Sequence, residues 1–220
     1  MSAIFLTATG TDIGKTFVAA GLIRHCRSAG RPIDVLKPLV TGFDPGNAMS
    51  DSAILLAALG RQPSPDNLDQ ISPWRFAAPL SPDMAAREED RSVDFDGVIQ
   101  FCQQKIAPTP GTLLIEGIGG VMVPLDARHT VLDWMAALRI PVLLVTGSYL
   151  GTLSHTLTAL DALQRRDLAI KALVVNETPG ATVTLGDTLD TLSNFAGSVP
   201  IVALPRDPAP DAFGRLAALL

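Results

Sequence analysis

The segment LTATGTDIGKT, residues 6–16, carries the clearest chemical signature in the chain. An apolar run leads into a glycine-containing loop that ends in Gly14, Lys15 and Thr16. In phosphate-binding loops, glycines expose backbone N–H groups, the lysine reaches the outer phosphates, and the hydroxyl ligates Mg²⁺. The common form of such a loop has glycine where this chain has Thr9. The segment therefore predicts a nucleotide site with altered spacing; the alternative is an ordinary flexible connection.

Charged side chains lie at the ends of further apolar runs. Lys37, in IDVLKPL, is either an ordinary solvated strand end or a second ammonium group on the same edge as Lys15. Glu116 ends TLLIE ahead of GIGG, and a buried carboxylate is costly unless it is paired or binds a metal. An acid at this place holds Mg²⁺ in nucleotide-hydrolysing α/β proteins. Asp51 follows Ser50 at a predicted helix start, so it is either a helix cap or a second metal ligand.

Neutral polar residues near the same strand ends are less specific. Thr41 and Ser81 lie in predicted loops, and each is interpreted from the pattern alone as a turn residue. Asn176 ends the run ALVVN, where its amide could contact a nucleobase or form a turn. The three histidines share no metal-ligand spacing and are predicted to be structural.

The elements that must position these side chains alternate along the chain. Nearly continuous apolar runs, typical of parallel strands covered on both faces, predict strands at 3–8, 33–39, 112–117, 141–147, 171–177 and 199–205. Helices are predicted at 14–29, 51–59, 94–106, 130–138, 152–166, 183–194 and 211–219. This order indicates an α/β fold in one domain over 1–220: a doubly wound, mostly parallel sheet with helices on both faces.

The topology also predicts where a ligand would bind. In doubly wound sheets, ligands bind outside the carboxyl ends of the strands, so the side chains described above share one edge. The proline-rich section 61–83 interrupts the alternation, and we predict that it is an extended loop between the second and third strands.

Composition excludes several classes of protein. The 220 residues are 47% hydrophobic and 18% charged, which argues against disorder and against a coiled coil. A net charge of -5 gives no reason to expect a nucleic-acid partner. No apolar run is long enough to span a membrane, and the first run is predicted to be a strand rather than a signal peptide. Two isolated cysteines, Cys26 and Cys102, favour a reduced, cytoplasmic protein.

Taken together, these segments resemble the ATP-dependent dethiobiotin synthetases, carboxylases that close the ureido ring in biotin synthesis. The resemblance runs over nearly the whole length. Its specificity comes from the order and spacing of TGTDIGKT, LKPLVTG, SDSAILLAALG, FAAPLSP, LLIEGIGGVMVPL, LDWMAALRIPVLLVTGSYLGTLSHTLTAL and VVNE. The phosphate loop of this family, G-T-x-T-x-x-G-K-T, is one residue longer than the common form, which accounts for the altered spacing. Ala8 departs from it, because the family usually has glycine there; we expect the added methyl group to be tolerated.

The resemblance implies a role for each candidate residue. Nucleotide contacts are implied for Thr11, Asp12, Ile13, Gly14, Lys15, Thr16, Glu116 and Asn176. Catalytic contacts to phosphate and carbamate are implied for Lys15 and Lys37. Mg²⁺ ligands are implied at Thr16, Asp51 and Glu116. Substrate contacts are implied for Thr41 and, at a helix start that meets the substrate carboxylate across a homodimer interface, for Gly151, Thr152 and Ser154.

The reaction implied by the resemblance uses ATP, Mg²⁺, CO₂ or bicarbonate, and 7,8-diaminononanoate. One amine of the substrate takes up CO₂ to give a carbamate. ATP phosphorylates the carbamate, and the second amine then attacks the mixed anhydride, closes the ring and releases phosphate. Carbamate and γ-phosphate repel each other, so the chemistry needs concentrated positive charge rather than a nucleophilic side chain.

Three alternatives from other classes stay open at the level of sequence. A regulatory ATPase of the partitioning or cell-division type would carry a further lysine early in the loop, whereas no lysine precedes Gly14. An amidotransferase or synthetase domain of the cobalamin type would need an additional catalytic domain. In a non-catalytic nucleotide-binding module, Asp51 and Glu116 would be structural.

Overall fold

The computed structural model describes residues 2–47 and 49–220 and contains a six-stranded parallel sheet in the order β2-β5-β1-β6-β7-β8. A second sheet pairs β3 with β4, also in parallel. The strands are β1 (Ser2–Ala8), β2 (Ile33–Leu36), β3 (Leu39–Val40), β4 (Trp74–Arg75), β5 (Thr112–Glu116), β6 (Val142–Gly147), β7 (Ile170–Asn176) and β8 (Ile201–Leu204). The predicted fold class is confirmed.

Helices cover both faces of the large sheet. They are α1 (Lys15–Ser28), α2 (Asp51–Ala58), α3 (Pro65–Ile71), α4 (Pro82–Glu88), α5 (Phe95–Ile106), α6 (Val131–Leu138), α7 (Thr152–Gln164), α8 (Leu185–Ser193) and α9 (Pro210–Ala217). Apart from the second strand, the predicted strands and helices match observed elements to within two residues at each end. Within the described ranges, no helix is long and apolar enough to cross a membrane.

The alternation of side chains along β1 divides the core into two layers. Ile4 and Leu6 pack with α1, α2 and α9 on one face. Phe5 points to the other face, into a core built with α5 to α8. There its ring meets Trp134 edge-on, with 4.9 Å between the ring centroids. The central strand is therefore buried on both sides, as its continuous apolar run predicts.

The predicted strand 33–39 is wrong in its second half. The strand β2 ends at Leu36, and Leu39 begins β3 in the separate small sheet. Pro38 between them has no N–H to donate to a ladder, which explains the break. The Lys37 N–H instead donates to the Ile71 carbonyl, at 2.9 Å. Lys37 therefore stands just outside the sheet, in a gap between two strands.

The prediction that 61–83 is an extended loop is also wrong. This section contains α3, β4 and the start of α4. Its prolines mislead because Pro65 and Pro82 each occupy a first helical turn, directly after Ser64 and Ser81 at the N-caps. Proline at this position starts helices, since the missing N–H would have no helical partner anyway. The section is thus an ordered wall beside the carboxyl edge of the large sheet.

Candidate active site

A cavity of about 730 Å³ opens at the carboxyl edge of the large sheet. Its walls come from the loop after β1, the segment after β2, the first turn of α2, the loop before α4 and the loop after β5. The residues that line it are Thr11, Asp12, Gly14, Lys15, Thr16, Lys37, Val40, Thr41, Gly42, Asp51, Pro79, Leu80, Ser81, Pro82, Ile118, Gly119 and Val123. The cavity lies where the topology predicts a ligand.

The loop between β1 and α1 has the backbone of an anion-binding turn. Asp12 and Gly14 both have positive φ, at 57° and 100°. A side chain at Gly14 would place its Cβ 2.3 Å from Asn176 Nδ2, so both conformation and space demand glycine there. Gly14 is also the N-cap of α1 and leaves the first helical N–H groups without a side-chain cap. These N–H groups and the positive end of the helix are available to an anion.

Asn176 supports this loop from the end of β7. Its Nδ2 donates to the Ile13 carbonyl at 2.9 Å. The amide is thus used to hold the phosphate loop, and the predicted base contact of Asn176 stays a prediction. Ala8, the departure from the family pattern, is the fully buried last residue of β1, so its methyl group packs in the core behind the loop.

One lysine lies at the cavity wall between two acidic side chains. Lys37 Nζ lies 2.5 Å from Glu116 Oε1 and 2.9 Å from Asp51 Oδ2. Burial opposes the charge on Lys37, but Glu116 and Asp51 outweigh it and raise the pKa of the ammonium. Burial likewise disfavours an ionised Asp51, yet Lys37 holds the pKa of that carboxyl below its usual range. Both groups are therefore charged at neutral pH.

Lys15 contacts carbonyl groups instead. Its Nζ donates to Gly119 at 2.7 Å and to Gly10 at 3.3 Å. Burial, reinforced by repulsion from Lys37, lowers the pKa of Lys15 to about 8. An anion close to this ammonium would raise its pKa and stabilise the charged form.

The oxygen atoms beside the lysines suit a hard divalent cation. Thr16 Oγ1 donates to Glu116 Oε1 at 2.7 Å, and Asp51 faces the same cluster. Glu116 is fully buried, yet its Oε2 has no hydrogen-bond partner among the described residues. A hydroxyl, two carboxylates and phosphate oxygens are the ligands that Mg²⁺ prefers. The described part of the chain contains no group of three or more His, Cys, Asp or Glu side chains that could hold a metal ion. The remaining ligands would therefore come from water or nucleotide.

Asp51 does not cap α2. Ser50 is the N-cap, and its hydroxyl accepts a hydrogen bond from the Ala53 N–H at 3.4 Å. The Asp51 carboxylate turns into the cavity instead, although about half of its side chain is exposed. Its proposed role as a metal ligand stays a prediction, and the arrangement of the helix start leaves it free for that role.

The cavity lining also includes a wall of apolar side chains and hydroxyl groups. Thr41 and Ser81, which the pattern alone assigns to turns, both line the cavity. Ser81 Oγ donates to Asp83 Oδ1, at 2.5 Å. The pattern also missed the apolar members of this wall, among them Leu80 and Val123, because nothing in a short apolar run shows which cavity it borders.

The other predicted substrate residues lie outside this cavity. Gly151 is the N-cap of α7, with φ of 97°, and Ser154 is exposed. The hydroxyl of Thr152 is buried and donates to the Gly147 carbonyl at 2.7 Å. A single chain therefore does not bring these residues to the lysines, and their substrate contacts stay a prediction.

A buried chain of threonine hydroxyls joins the phosphate loop to α7. Thr146 Oγ1 lies 3.2 Å from Thr9 Oγ1, 2.9 Å from Thr152 Oγ1 and 2.7 Å from Thr156 Oγ1. Thr152 and Thr156 both donate to backbone carbonyls and have no second proton to give. We infer that Thr9 donates to Thr146 and that Thr146 donates onward to α7. Thr146 thereby fixes the entry to the phosphate loop.

The fold and the site define a phosphate-loop nucleotide-binding protein. Solved structures with the same fold include the cell division ATPase MinD of Pyrococcus furiosus, with a TM-score of 0.56 and 19% identity over 100% of this chain and 98% of that one. MinD of Pyrococcus horikoshii, complexed with Mg-ADP, has a TM-score of 0.54 and 17% identity, covering 100% and 86%. At such identities the likeness concerns the fold alone.

Sequence comparison places the chain more narrowly. A family model described as an AAA domain matches residues 2–211. ATP-dependent dethiobiotin synthetases of Acidiphilium cryptum and Methylobacterium nodulans are 49% and 47% identical, covering 91% and 90% of each chain. That of Caulobacter vibrioides is 46% identical, covering 94% of this chain and 93% of the relative. The chain belongs to the ATP-dependent dethiobiotin synthetase family, which confirms the expected family of ATP-dependent synthetases.

We expect Thr146→Val to disturb the phosphate loop. The change keeps the volume but removes the acceptor of Thr9, and should lower the free energy of unfolding by about 1–2 kcal/mol. Urea unfolding measures the loss of stability, and backbone NMR shifts report the disturbance of the loop. Thr188→Val is the matched control, because this buried threonine donates only within its own segment, to the Thr184 carbonyl. Equal disturbance of the loop in the two variants would contradict the role of Thr146.

Proposed function

We propose that this chain converts 7,8-diaminononanoate and CO₂ into dethiobiotin, in a reaction that requires ATP and Mg²⁺. The observation that carries the proposal is that Lys15, Thr16, Lys37 and Asp51 line one cavity, with the buried Glu116 directly behind it in contact with Lys37 and Thr16. Membership of the dethiobiotin synthetase family supports the choice of substrates. The apolar residues that line the same cavity suit an aliphatic substrate chain.

The chemistry divides into three steps that balance without a protein nucleophile. One substrate amine bonds to CO₂ and loses a proton, giving the carbamate. A carbamate oxygen displaces ADP from the γ-phosphorus. The second amine attacks the carbonyl carbon, phosphate leaves, and the loss of a proton completes the cyclic urea.

The lysines and backbone groups perform the electrostatic work. Lys15 and the N–H groups at the start of α1 bind the phosphates, and Lys37 neutralises the carbamate as it approaches them. Thr16, Asp51 and Glu116 would hold Mg²⁺, which when bound shields phosphate charge. A mainly enclosed position for these charges strengthens each attraction, because the local dielectric constant is lower than in water.

We further propose a homodimer in which the start of α7 completes the substrate site. Leu150, directly before the N-cap Gly151, exposes 82% of its surface, and a second subunit packed at this place would bury it. Without a second subunit, Gly151, Thr152 and Ser154 would have no route to a substrate bound beside the lysines.

The test of the proposed function is product formation. Purified protein with MgATP, ¹³C-bicarbonate and 7,8-diaminononanoate should give a labelled cyclic urea, detected by mass spectrometry, together with ADP and phosphate. A monoamine of the same chain length is the control and should give no cyclic product. ATP hydrolysis that does not respond to the diamine would reject the proposal.

Asp51→Asn should raise the Mg²⁺ concentration needed for half-maximal activity by about tenfold or more, because it removes one proposed metal ligand. Ser50→Ala is the matched control: it deletes the N-cap of the same helix and should cost about 1 kcal/mol of stability without changing the Mg²⁺ requirement. If Asp51→Asn lowers only the melting temperature, Asp51 is a structural residue.

Nucleotide binding should be accompanied by proton uptake at Lys15. The pKa of this ammonium is about 8 in the ligand-free protein, and anionic phosphate raises it. At pH 8, MgADP binding should therefore take up about half a proton, and affinity should fall as the pH rises further. Calorimetry in buffers of different ionisation enthalpy measures the uptake. Lys15→Arg, which stays charged, should abolish it; equal uptake in both forms would contradict this assignment.

A further inference from the structure

The position between the two carboxylates of the site is occupied by the Lys37 side chain. Its ammonium contacts Glu116 at 2.5 Å and Asp51 at 2.9 Å, and only 4% of the side chain is exposed. Thr16 donates to the same oxygen of Glu116, at 2.7 Å. Lys37 thus contacts both acids proposed to hold Mg²⁺. It also shares Glu116 Oε1 with Thr16, the proposed hydroxyl ligand.

We propose that Lys37 is the resident cation of this site, which a divalent metal ion must displace, and that metal binding thereby releases its ammonium to the substrate side of the cavity. This inference rests on the proposed metal site. It assigns Lys37 a second role beyond contact with the substrate, as the group that holds the metal ligands in place before the metal arrives.

The burial of Glu116 explains why the site needs a resident cation. This carboxylate has no solvent exposure, and a buried charge without a partner is strongly destabilising. Asp51 is half-exposed and could be solvated by water, but Glu116 could not. The Lys37 ammonium therefore stabilises the ligand-free fold.

The hydrogen-bond pattern of Glu116 indicates how the exchange would proceed. Both of its contacts, from Lys37 and from Thr16, use Oε1, whereas Oε2 has no partner among the described residues. Oε2 is itself enclosed, so a metal ion that enters from the cavity meets Glu116 at the position that the Lys37 ammonium holds. The ion can contact Oε1 and Asp51 only when the ammonium leaves, because two adjacent cations repel each other strongly in a buried site.

Lys37 can leave by rotating its side chain while its backbone stays fixed. The backbone is held by the hydrogen bond to Ile71 and by the following Pro38. The side chain borders the same cavity as Thr41, so the released ammonium stays inside the site. Lys15 does not compete for the metal position, since its donors are directed to the Gly10 and Gly119 carbonyls.

The exchange would order the assembly of the site. Metal alone binds weakly, because it must expel Lys37 into a cavity that holds no compensating anion. Metal together with nucleotide brings phosphate charge that stabilises the released ammonium. Lys37 then becomes available to an anionic substrate group only after metal and nucleotide are in place.

The test is a titration with Mn²⁺ in the absence of nucleotide, followed by electron paramagnetic resonance. Lys37→Met should bind Mn²⁺ with a dissociation constant lower by about tenfold or more than the unmodified protein. Lys15→Met is the matched control: it also removes a buried ammonium from this cavity, but one without a carboxylate contact, and should gain no more than a few-fold.

The outcomes separate this inference from the proposed function. If Lys37→Met does not gain affinity for Mn²⁺, or if both variants gain equally, the proposed exchange is wrong. The metal site itself stands in that case, provided that the unmodified protein binds Mn²⁺ together with ADP. Absence of Mn²⁺ binding in every form, even with ADP, overturns the metal site and the inference together.

A second measurement uses the unmodified protein, in case Lys37→Met fails to fold. The chain has four lysines, so ¹⁵N labelling of their side chains gives a simple NMR spectrum. Addition of Mg²⁺ and ADP should shift the Lys37 signal, assigned from Lys37→Arg, whereas ADP with a chelator should not. Lys105 and Lys171, which lie outside the cavity, serve as internal controls. A Lys37 signal that stays in place when Mg²⁺ binds overturns the proposal.

Discussion

The charge on one buried carboxylate governs the organisation of this site. Glu116 ends a strand with no exposure to solvent, so it requires positive charge beside it in every state of the protein. Lys37 supplies that charge, with its Nζ 2.5 Å from Glu116 Oε1. The two lysines have different partners: Lys37 contacts both acids, whereas Lys15 donates to carbonyl groups.

Strand order brings these groups together. The strands β2, β5 and β1 are consecutive neighbours in the sheet, and Lys37, Glu116 and Thr16 each follow or end one of them. Because all pairings are parallel, the three strands end at the same edge. The threonine chain through Thr146 extends this order across β6 to α7, so the phosphate loop and the start of α7 are parts of one hydrogen-bonded framework.

The similarity to cell division ATPases shows that proteins with this fold can have very different sequences. MinD of Pyrococcus furiosus shares the fold at 19% identity, whereas the dethiobiotin synthetase of Acidiphilium cryptum is 49% identical over 91% of this chain. In this chain the small sheet and the section before α4 supply an apolar wall with Thr41 and Ser81.

The sequence by itself determined the parallel sheet, the phosphate loop and the family, because continuous apolar runs and the order of short motifs are local properties of the chain. It misjudged 33–39 and 61–83, where proline ends a strand in one place and starts helices in the other. Only the tertiary structure decided that Asp51 turns away from its helix cap, that Asn176 supports the phosphate loop, and that Lys37 lies between two acids. The physical reason is that these contacts join residues far apart in the chain, and their partners are chosen by packing and by the cost of leaving a charge buried alone.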